Sequence, residues 1–98
     1  MASKNNIQEL KKKIVPILKR NNVKRAGIFG SYARGEAKKD SDIDMIVAFS
    51  KRKSLLDIVR IERELSEGIG KKVDLLTKSS ISPYIIDKIK KETVVIHK

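Results

Sequence analysis

A strand–helix–strand pattern over residues 43–77 constrains the fold more than any other feature of this sequence. Apolar residues alternate from Ile43 to Phe49 as in a half-buried strand, and they recur with a helical period after Ser54. Two glycines end that helical pattern, and Lys72–Thr77 is predicted as the next strand. A helix that joins two strands of one sheet makes a right-handed crossover. These two strands are therefore predicted to be parallel.

The rest of the chain predicts flanking helices and two more strands. The first helix carries apolar residues at helical spacing, and Pro16 within it predicts a kink. Val23–Phe29 is predicted as a strand that ends near the start of the strand at Ile43, which makes these two strands antiparallel neighbours. With a final strand over Thr93–Ile96, we expect an α/β (α+β) fold: a small mixed sheet of about four strands with helices packed on one face. The sequence also predicts a brief helix over residues 31–35 and a last short helix from Pro83.

Composition limits the class of protein. The chain has 98 residues, which suits one modest hydrophobic core, so residues 1–98 are expected to form a single domain. The absence of cysteine excludes disulfides, zinc-thiolate sites and thiol nucleophiles. The apolar runs are far shorter than the roughly 20 residues that cross a bilayer, and Met1–Leu10 lacks the apolar core of a signal peptide. We therefore expect a cytoplasmic protein with no membrane partner.

The distribution of charge singles out one quarter of the chain. The net charge is +11, yet residues 26–50 hold more acids than bases. A basic protein attracts polyanions such as a nucleoside triphosphate, RNA or an acidic protein. The alternative is that the lysines form an ordinary solvated surface, and for most of them we favour that interpretation. The acidic quarter is where a specific site is expected.

Two aspartates, Asp42 and Asp44, stand at the start of the second predicted strand. Because side chains at i and i+2 of a strand share a face, the two carboxylates are predicted to lie side by side. Asp74 alternates with apolar neighbours on the parallel strand, so it is predicted to reach the same face. A turn or cap role is an alternative for Asp42, whereas Asp44 lies between Ile and Met within a strand.

Three converging carboxylates predict a metal site. Like charges this close repel each other unless a cation lies between them. Oxygen ligands suit Mg²⁺, with Mn²⁺ as an alternative. Two such ions about 3.5–4 Å apart would hold the attacking and leaving oxygens of an in-line displacement. Asp42, Asp44 and Asp74 are therefore predicted as both metal ligands and catalytic residues.

A Gly–Ser pair, Gly30 and Ser31, follows the first predicted strand. Gly30 removes a side chain that would block close approach, and Ser31 offers a hydroxyl and an N–H where an anion is favoured. A plain helix N-cap is the alternative role for Ser31. Arg34 either contacts phosphate or pairs with Glu36 or a catalytic aspartate, and the sequence favours neither. A phosphate site beside a metal site describes transfer of a nucleotidyl group from a metal-bound triphosphate, with pyrophosphate leaving.

These residues resemble the signature of the DNA polymerase β-type nucleotidyltransferase superfamily. The segment 29–36, followed by 41–44, is similar to the minimal nucleotidyltransferases, and the likeness covers nearly the whole chain, including Asp74. The resemblance implies a palm-like nucleotidyltransferase fold and ATP as the donor. It also implies that Asp42 and Asp44 bind metal, and that Asp74 completes the site and helps to deprotonate the acceptor hydroxyl.

The same resemblance implies a partner. Larger relatives carry a helical domain that binds the acceptor, whereas the minimal family typically uses a separate helical protein of the HEPN type. Many such pairs resemble toxin–antitoxin systems, in which the nucleotidyltransferase adenylylates a tyrosine of the HEPN ribonuclease and silences it. The expected function is therefore Mg²⁺-dependent transfer of AMP from ATP to a hydroxyl, with a tyrosine of a HEPN-type toxin as acceptor.

Two alternatives stay open at this point. One is nucleotidyl transfer to an RNA 3′ end, which the basic surface permits and the lack of an acceptor-binding domain disfavours. The other is a binding module that neutralises its partner by contact alone. An exposed strand edge in so small a domain also makes a homo-oligomer plausible.

Three other residue types are given structural roles. Tyr32 is predicted to anchor the core or the loop, and Lys38 with Lys39 to form a solvated loop. His97, the one histidine, lies in an apolar strand and is not expected to be catalytic. Without other His or Cys, Ser–His and Cys–His mechanisms are excluded.

Overall fold

A computed structural model describes residues 2–38 and 40–98, and for residues 2–6 it describes the backbone alone. Lys39, which the sequence places in a solvated loop, lies outside the described residues. A single 3₁₀ turn, Lys78–Ser80, precedes the last helix. The helices and strands are α1 (Ala2–Arg20), β1 (Val23–Phe29), α2 (Ser31–Arg34), β2 (Ile43–Phe49), α3 (Leu55–Ile69), β3 (Val73–Thr77), α4 (Pro83–Glu92) and β4 (Val94–His97).

The four strands form one mixed sheet in the order β3-β2-β1-β4. β2 and β3 are parallel, as the crossover through α3 predicts. β1 pairs antiparallel with both β2 and β4. The predicted fold class, a small mixed sheet of about four strands with helices, is therefore confirmed.

The larger core lies on the face of the sheet that α1 and α3 cover. Alternate residues of β2 point into it, and Ile43 and Met45 are fully buried. From the helices, Ile14 and Leu65 are likewise without solvent exposure. α1 continues through Pro16 as one helix. Packing against the sheet explains this, because tertiary contacts outweigh the single backbone hydrogen bond that proline removes.

α4 packs on the opposite face of the sheet. Its Ile89 is buried in a second, smaller cluster with Phe29, and Ile46 and Leu76 of neighbouring strands lie against it. Ile46 and Leu76 alternate with the residues of the larger core, so they belong to the other face. The expectation that helices pack on one face thus holds for α1 and α3 and is wrong for α4. The apolar stripe of a helix shows that it packs, without showing on which side.

α3 begins and ends where its sequence predicts. The Ser54 hydroxyl accepts from the Asp57 N–H at 3.2 Å, and the Asp57 carboxylate accepts from the Ser54 N–H at 3.2 Å. Gly70 ends the helix in the left-handed conformation. Leu55 and Leu56 in its first turn are 76% and 81% exposed. The apolar face predicted for this helix is therefore exposed in its first turn and buried from Ile61 onward.

The outer edge of β3 is covered by side chains of α3. Ser66 Oγ accepts from the Val73 N–H at 3.0 Å, and Glu62 Oε2 accepts from the Leu75 N–H at 2.8 Å. An edge whose N–H groups are already bonded is a poor template for another strand. This edge gives no support to strand-to-strand association. Among the described residues, no helix has the length and apolar character needed to cross a membrane.

Candidate active site

Asp44 and Asp74 face each other across the parallel pair β2–β3. The two residues are register partners, so their side chains leave the sheet on the same face. Phe29 is the partner of Asp44 on the antiparallel side, which brings Gly30 next to it. Asp42 lies just before β2 and is exposed. The sheet thus brings together the Gly–Ser turn and the predicted carboxylates, on the face that carries α4.

The electrostatics of Asp44 are those of a crowded carboxylate. Burial raises its pKa, and the charges of Asp74 and then Asp42 raise it further, with Arg34 acting in the opposite direction. A cation between these groups would remove both the repulsion and part of the cost of burial. The oxygen-only donor set fits Mg²⁺ or Mn²⁺ on chemical grounds.

The side chains are not already assembled as a metal cage. Within residues 2–38 and 40–98, no group of three or more His, Cys, Asp or Glu is placed so that it could hold a metal ion. The carboxylate of Asp44 instead lies over Gly30. Sharing one cation among Asp42, Asp44 and Asp74 therefore requires side-chain rotation from the arrangement seen. Their assignment as ligands stays a prediction.

Gly30 is required by both its backbone and its neighbour. Its φ of 77° and ψ of −148° lie in a region that essentially only glycine adopts. A Cβ built at this position would lie 2.3 Å from Asp44 Oδ2. The sequence predicts glycine at this position because a ligand has to approach closely. The structure adds a second reason for glycine, because the same space is taken by the Asp44 carboxylate.

α2 is a single turn that starts directly after this glycine. The cap position is Gly30, and Ser31 is the first helical residue, so the plain N-cap role considered for Ser31 is wrong. Tyr32 is 4% exposed and belongs to the larger core, as predicted for an anchor. The turn is thus held to the core by Tyr32, with Ser31 left partly exposed beside it.

Arg34 is engaged by two carboxylates. Its Nε donates to Glu36 Oε1 at 2.8 Å, and its Nη1 lies 3.3 Å from Glu92 Oε2. These hydrogen bonds, first from Glu36 and then from Glu92, raise the pKa of Arg34. Of the two roles predicted for Arg34, pairing with Glu36 is present. The contact with phosphate stays a prediction.

Glu92 is the site residue that sequence reasoning missed. It is the last residue of α4, and its Oε1 accepts from the Gly30 N–H at 3.2 Å. The only signal in the sequence is indirect, because Glu92 precedes a strand that has to pair with β1 for the contact to form. Asp42 lines a surface depression of about 400 Å³ on the side of the loop between α3 and β3. His97 lies away from these groups, with Nε2 3.1 Å from the Val23 carbonyl oxygen, as expected for a structural residue.

Comparison with known proteins gives a consistent result. The model of the nucleotidyltransferase domain family matches residues 11–96. A candidate protein adenylyltransferase of Methanocaldococcus jannaschii is 57% identical over 89 residues, which cover 91% of this chain and 96% of that protein. The protein adenylyltransferase MntA of Thermococcus cleftensis is 43% identical over 74 residues, which cover 76% of this chain and 75% of that protein.

Solved structures share the fold. A candidate minimal nucleotidyltransferase superposes with a TM-score of 0.79 at 30% identity, covering 92% of each chain. A toxin–antitoxin complex with AMP-PNP matches with a TM-score of 0.79 at 23% identity, covering 88% of this chain and 71% of that one. A complex of a tri-AMPylated Shewanella oneidensis HEPN toxin with its MNT antitoxin matches with a TM-score of 0.72 at 21% identity, covering 91% and 70%. At these identities the last two similarities concern the fold alone.

Proposed function

The chain belongs to the nucleotidyltransferase domain family, and we propose that it transfers AMP from Mg²⁺-bound ATP to a tyrosine hydroxyl of a HEPN-type toxin. The observation that carries the proposal is the position of Asp44, which faces Asp74 across β2–β3 and lies over Gly30. Carboxylates beside a turn that carries N–H groups and a hydroxyl are the parts that nucleotidyl transfer needs.

The site residues fall into metal ligands and groups that contact the nucleotide. Asp42, Asp44 and Asp74 would hold Mg²⁺, which when bound neutralises phosphate charge and lowers the barrier to displacement. Gly30 and Ser31 would contact phosphate oxygens through N–H groups and the Ser31 hydroxyl. The acceptor oxygen forms a bond to the α-phosphorus, the bond from that phosphorus to the β-bridging oxygen breaks, and pyrophosphate leaves. Asp74, on the neighbouring strand, is assigned the hydroxyl proton.

The acceptor is proposed from the relatives. Those described above are named for protein adenylylation, and one structure with this fold contains an AMPylated HEPN toxin beside its antitoxin. AMP-PNP in another such complex supports ATP as the donor.

Labelled ATP tests the proposal directly. The protein is incubated with α-labelled ATP, Mg²⁺ and a HEPN-type protein, and label is expected on the HEPN-type protein. Asp42→Asn with Asp44→Asn is expected to abolish labelling. A control pair, Glu67→Gln with Asp87→Asn, removes two exposed carboxylates elsewhere and is expected to keep it.

Other outcomes identify the alternatives. Label that enters RNA in place of protein would assign the acceptor to an RNA 3′ end. Neutralisation of the toxin by the Asp42/Asp44 double variant, without transfer, would assign the protein to contact-only binding. Labelling of the toxin by that double variant would refute the roles given to the two aspartates.

A further inference from the structure

One carboxylate of this chain already occupies the Gly30 N–H of the Gly–Ser turn. Glu92 Oε1 accepts from the Gly30 N–H at 3.2 Å. The same carboxylate lies 3.3 and 3.4 Å from Arg34 Nη1. Its side chain is 23% exposed, so it lies inside the site with a path to solvent. A backbone N–H and a guanidinium around one carboxylate are the contacts that a phosphate oxygen would make.

We propose that Glu92 competes with the nucleotide triphosphate for Gly30 and Arg34, and that it must swing out for the nucleotide to bind. The inference rests on the proposed function, because it concerns the same site and its donor. The Gly30 N–H has one hydrogen, which Glu92 Oε1 already accepts, and a carboxylate and a phosphate beside one N–H and one guanidinium repel each other because both are negative. Glu92 thus occupies the position of a phosphate oxygen, and it lowers the affinity of the nucleotide-free site for the triphosphate.

The position of Glu92 in α4 argues against a role in stabilising that helix. A negative side chain in the last turn is opposed by the helix dipole, whereas Lys90 and Lys91 in the same turn are favoured by it. The compensating contacts of Glu92 are those with Gly30 and Arg34. Its charge also raises the pKa of Asp44, so the residue adds to the repulsion within the site. The unfavourable interaction with the helix dipole and the repulsion of Asp44 both favour movement of Glu92 out of the site.

A helix end is well placed for such an exchange. The side chain has three rotatable bonds and starts from the final residue of α4, so it can leave the turn without moving the sheet. Arg34 keeps its second partner, Glu36, at 2.8 Å when Glu92 leaves. The loop therefore stays held while the Gly30 N–H and one side of the guanidinium become available to phosphate.

Binding measurements on Glu92→Gln test this inference. Glutamine keeps the shape and an acceptor oxygen and removes the charge, and thermal unfolding checks that the variant folds. Titration calorimetry with Mg²⁺-ATP and with Mg²⁺-tripolyphosphate is expected to show about fivefold tighter binding to the variant than to wild type. This factor corresponds to the free energy of one partly exposed ion pair, Glu92–Arg34, which phosphate no longer has to displace. Adenosine, which lacks phosphate, is expected to bind equally to both proteins. Glu36→Gln is the matched control, because it breaks the other Arg34 pair and leaves Glu92 on Gly30, and it is not expected to tighten binding.

The outcomes separate this inference from the proposed function. Unchanged or weaker binding of both phosphate probes by Glu92→Gln overturns the competition, even where AMP transfer to the HEPN-type protein is observed. Tighter binding of tripolyphosphate, with no AMP transfer to any acceptor, upholds the competition and refutes the proposed reaction. Equal tightening by Glu36→Gln overturns the assignment to Glu92 and attributes the effect to release of Arg34.

Discussion

Replacing Gly30 by Ala is expected to destabilise the domain much more than the same change at Gly70. Both glycines have positive φ, 77° and 80°. Gly70 has ψ of 21°, in the left-handed region, and a Cβ there would meet nothing within 4 Å. Its replacement by Ala should therefore cost about 1 kcal/mol of backbone strain. Gly70→Ala thus measures the effect of positive φ alone.

Two further contributions raise the free-energy cost of Gly30→Ala above that of Gly70→Ala. Its ψ of −148° lies where residues other than glycine are strained by about 1–3 kcal/mol. A Cβ would also lie 2.3 Å from Asp44 Oδ2 and 3.3 Å from Asp44 Cβ, so the aspartate has to rotate. Together these terms give about 3 kcal/mol for Gly30→Ala. For a domain of this size, each kcal/mol lowers Tm by about 4–8 °C, so Tm should fall by about 12–24 °C, against about 4–8 °C for Gly70→Ala.

Chemical and thermal unfolding of a double-mutant cycle isolate the contact with Asp44. The cost of Gly30→Ala is expected to fall by about 1 kcal/mol when Asp44 is first changed to Ala, because the obstructing carboxylate is gone. The strain of the backbone remains in both backgrounds. Equal losses of Tm for Gly30→Ala and Gly70→Ala would refute the reasoning about the conformation of Gly30. Strict additivity with Asp44→Ala would refute the contact between the turn and the aspartate.

Two further changes test the charges and the caps. Asp44→Asn is expected to raise stability by about 1 kcal/mol near pH 7 while it abolishes transfer, because it removes a half-buried carboxylate that repels Asp74. A raised folded-state pKa gives stability that is present at low pH and lost as pH rises through it, so the Tm difference from wild type should widen as the pH rises above about 4; a constant difference would contradict the pKa shift. Ser54→Ala is expected to lower stability by about 1 kcal/mol in urea unfolding through loss of the α3 cap, whereas Ser54→Thr should retain most of it. Equal losses for the two Ser54 variants would show that the cap contributes nothing.

Local patterns predicted the elements that local interactions determine. Val23–Phe29 and Ile43–Phe49 are strands with the predicted ends, because an alternating run bounded by turn residues is sufficient evidence for a strand. Ser54 and Gly70 mark the two ends of α3 for the same local reason. The parallel pairing of β2 and β3 followed from the crossover rule without any long-range information.

Features that depend on distant pairing were not predictable in this way. α4 has an apolar stripe, but the stripe does not distinguish the two faces of a sheet that both offer apolar residues. Glu92 reaches Gly30 across 62 residues of sequence, through the pairing of β1 with β4. The exposure of Leu55 and Leu56 likewise depends on how α3 is placed against the rest of the fold. Each of these features depends on how helices and strands are placed relative to one another, and the hydrophobic periodicity of a sequence carries no information about that placement.

The two halves of the sequence motif turn out to be one structural unit. Gly30 follows the last residue of β1 and Asp44 is the second residue of β2, so the antiparallel register alone brings them together, whatever path residues 35–42 take. The space that a side chain at Gly30 would fill is occupied by the Asp44 carboxylate in the structure and by phosphate in the proposed reaction. Glu92 occupies the N–H of the same residue. In the proposed reaction, nucleotide binding would therefore move two carboxylates at one glycine, Asp44 toward a cation and Glu92 away from the turn. Substitutions at Gly30 should accordingly affect metal and phosphate affinity together, whereas Glu92→Gln should change phosphate affinity with little effect on the position of Asp44.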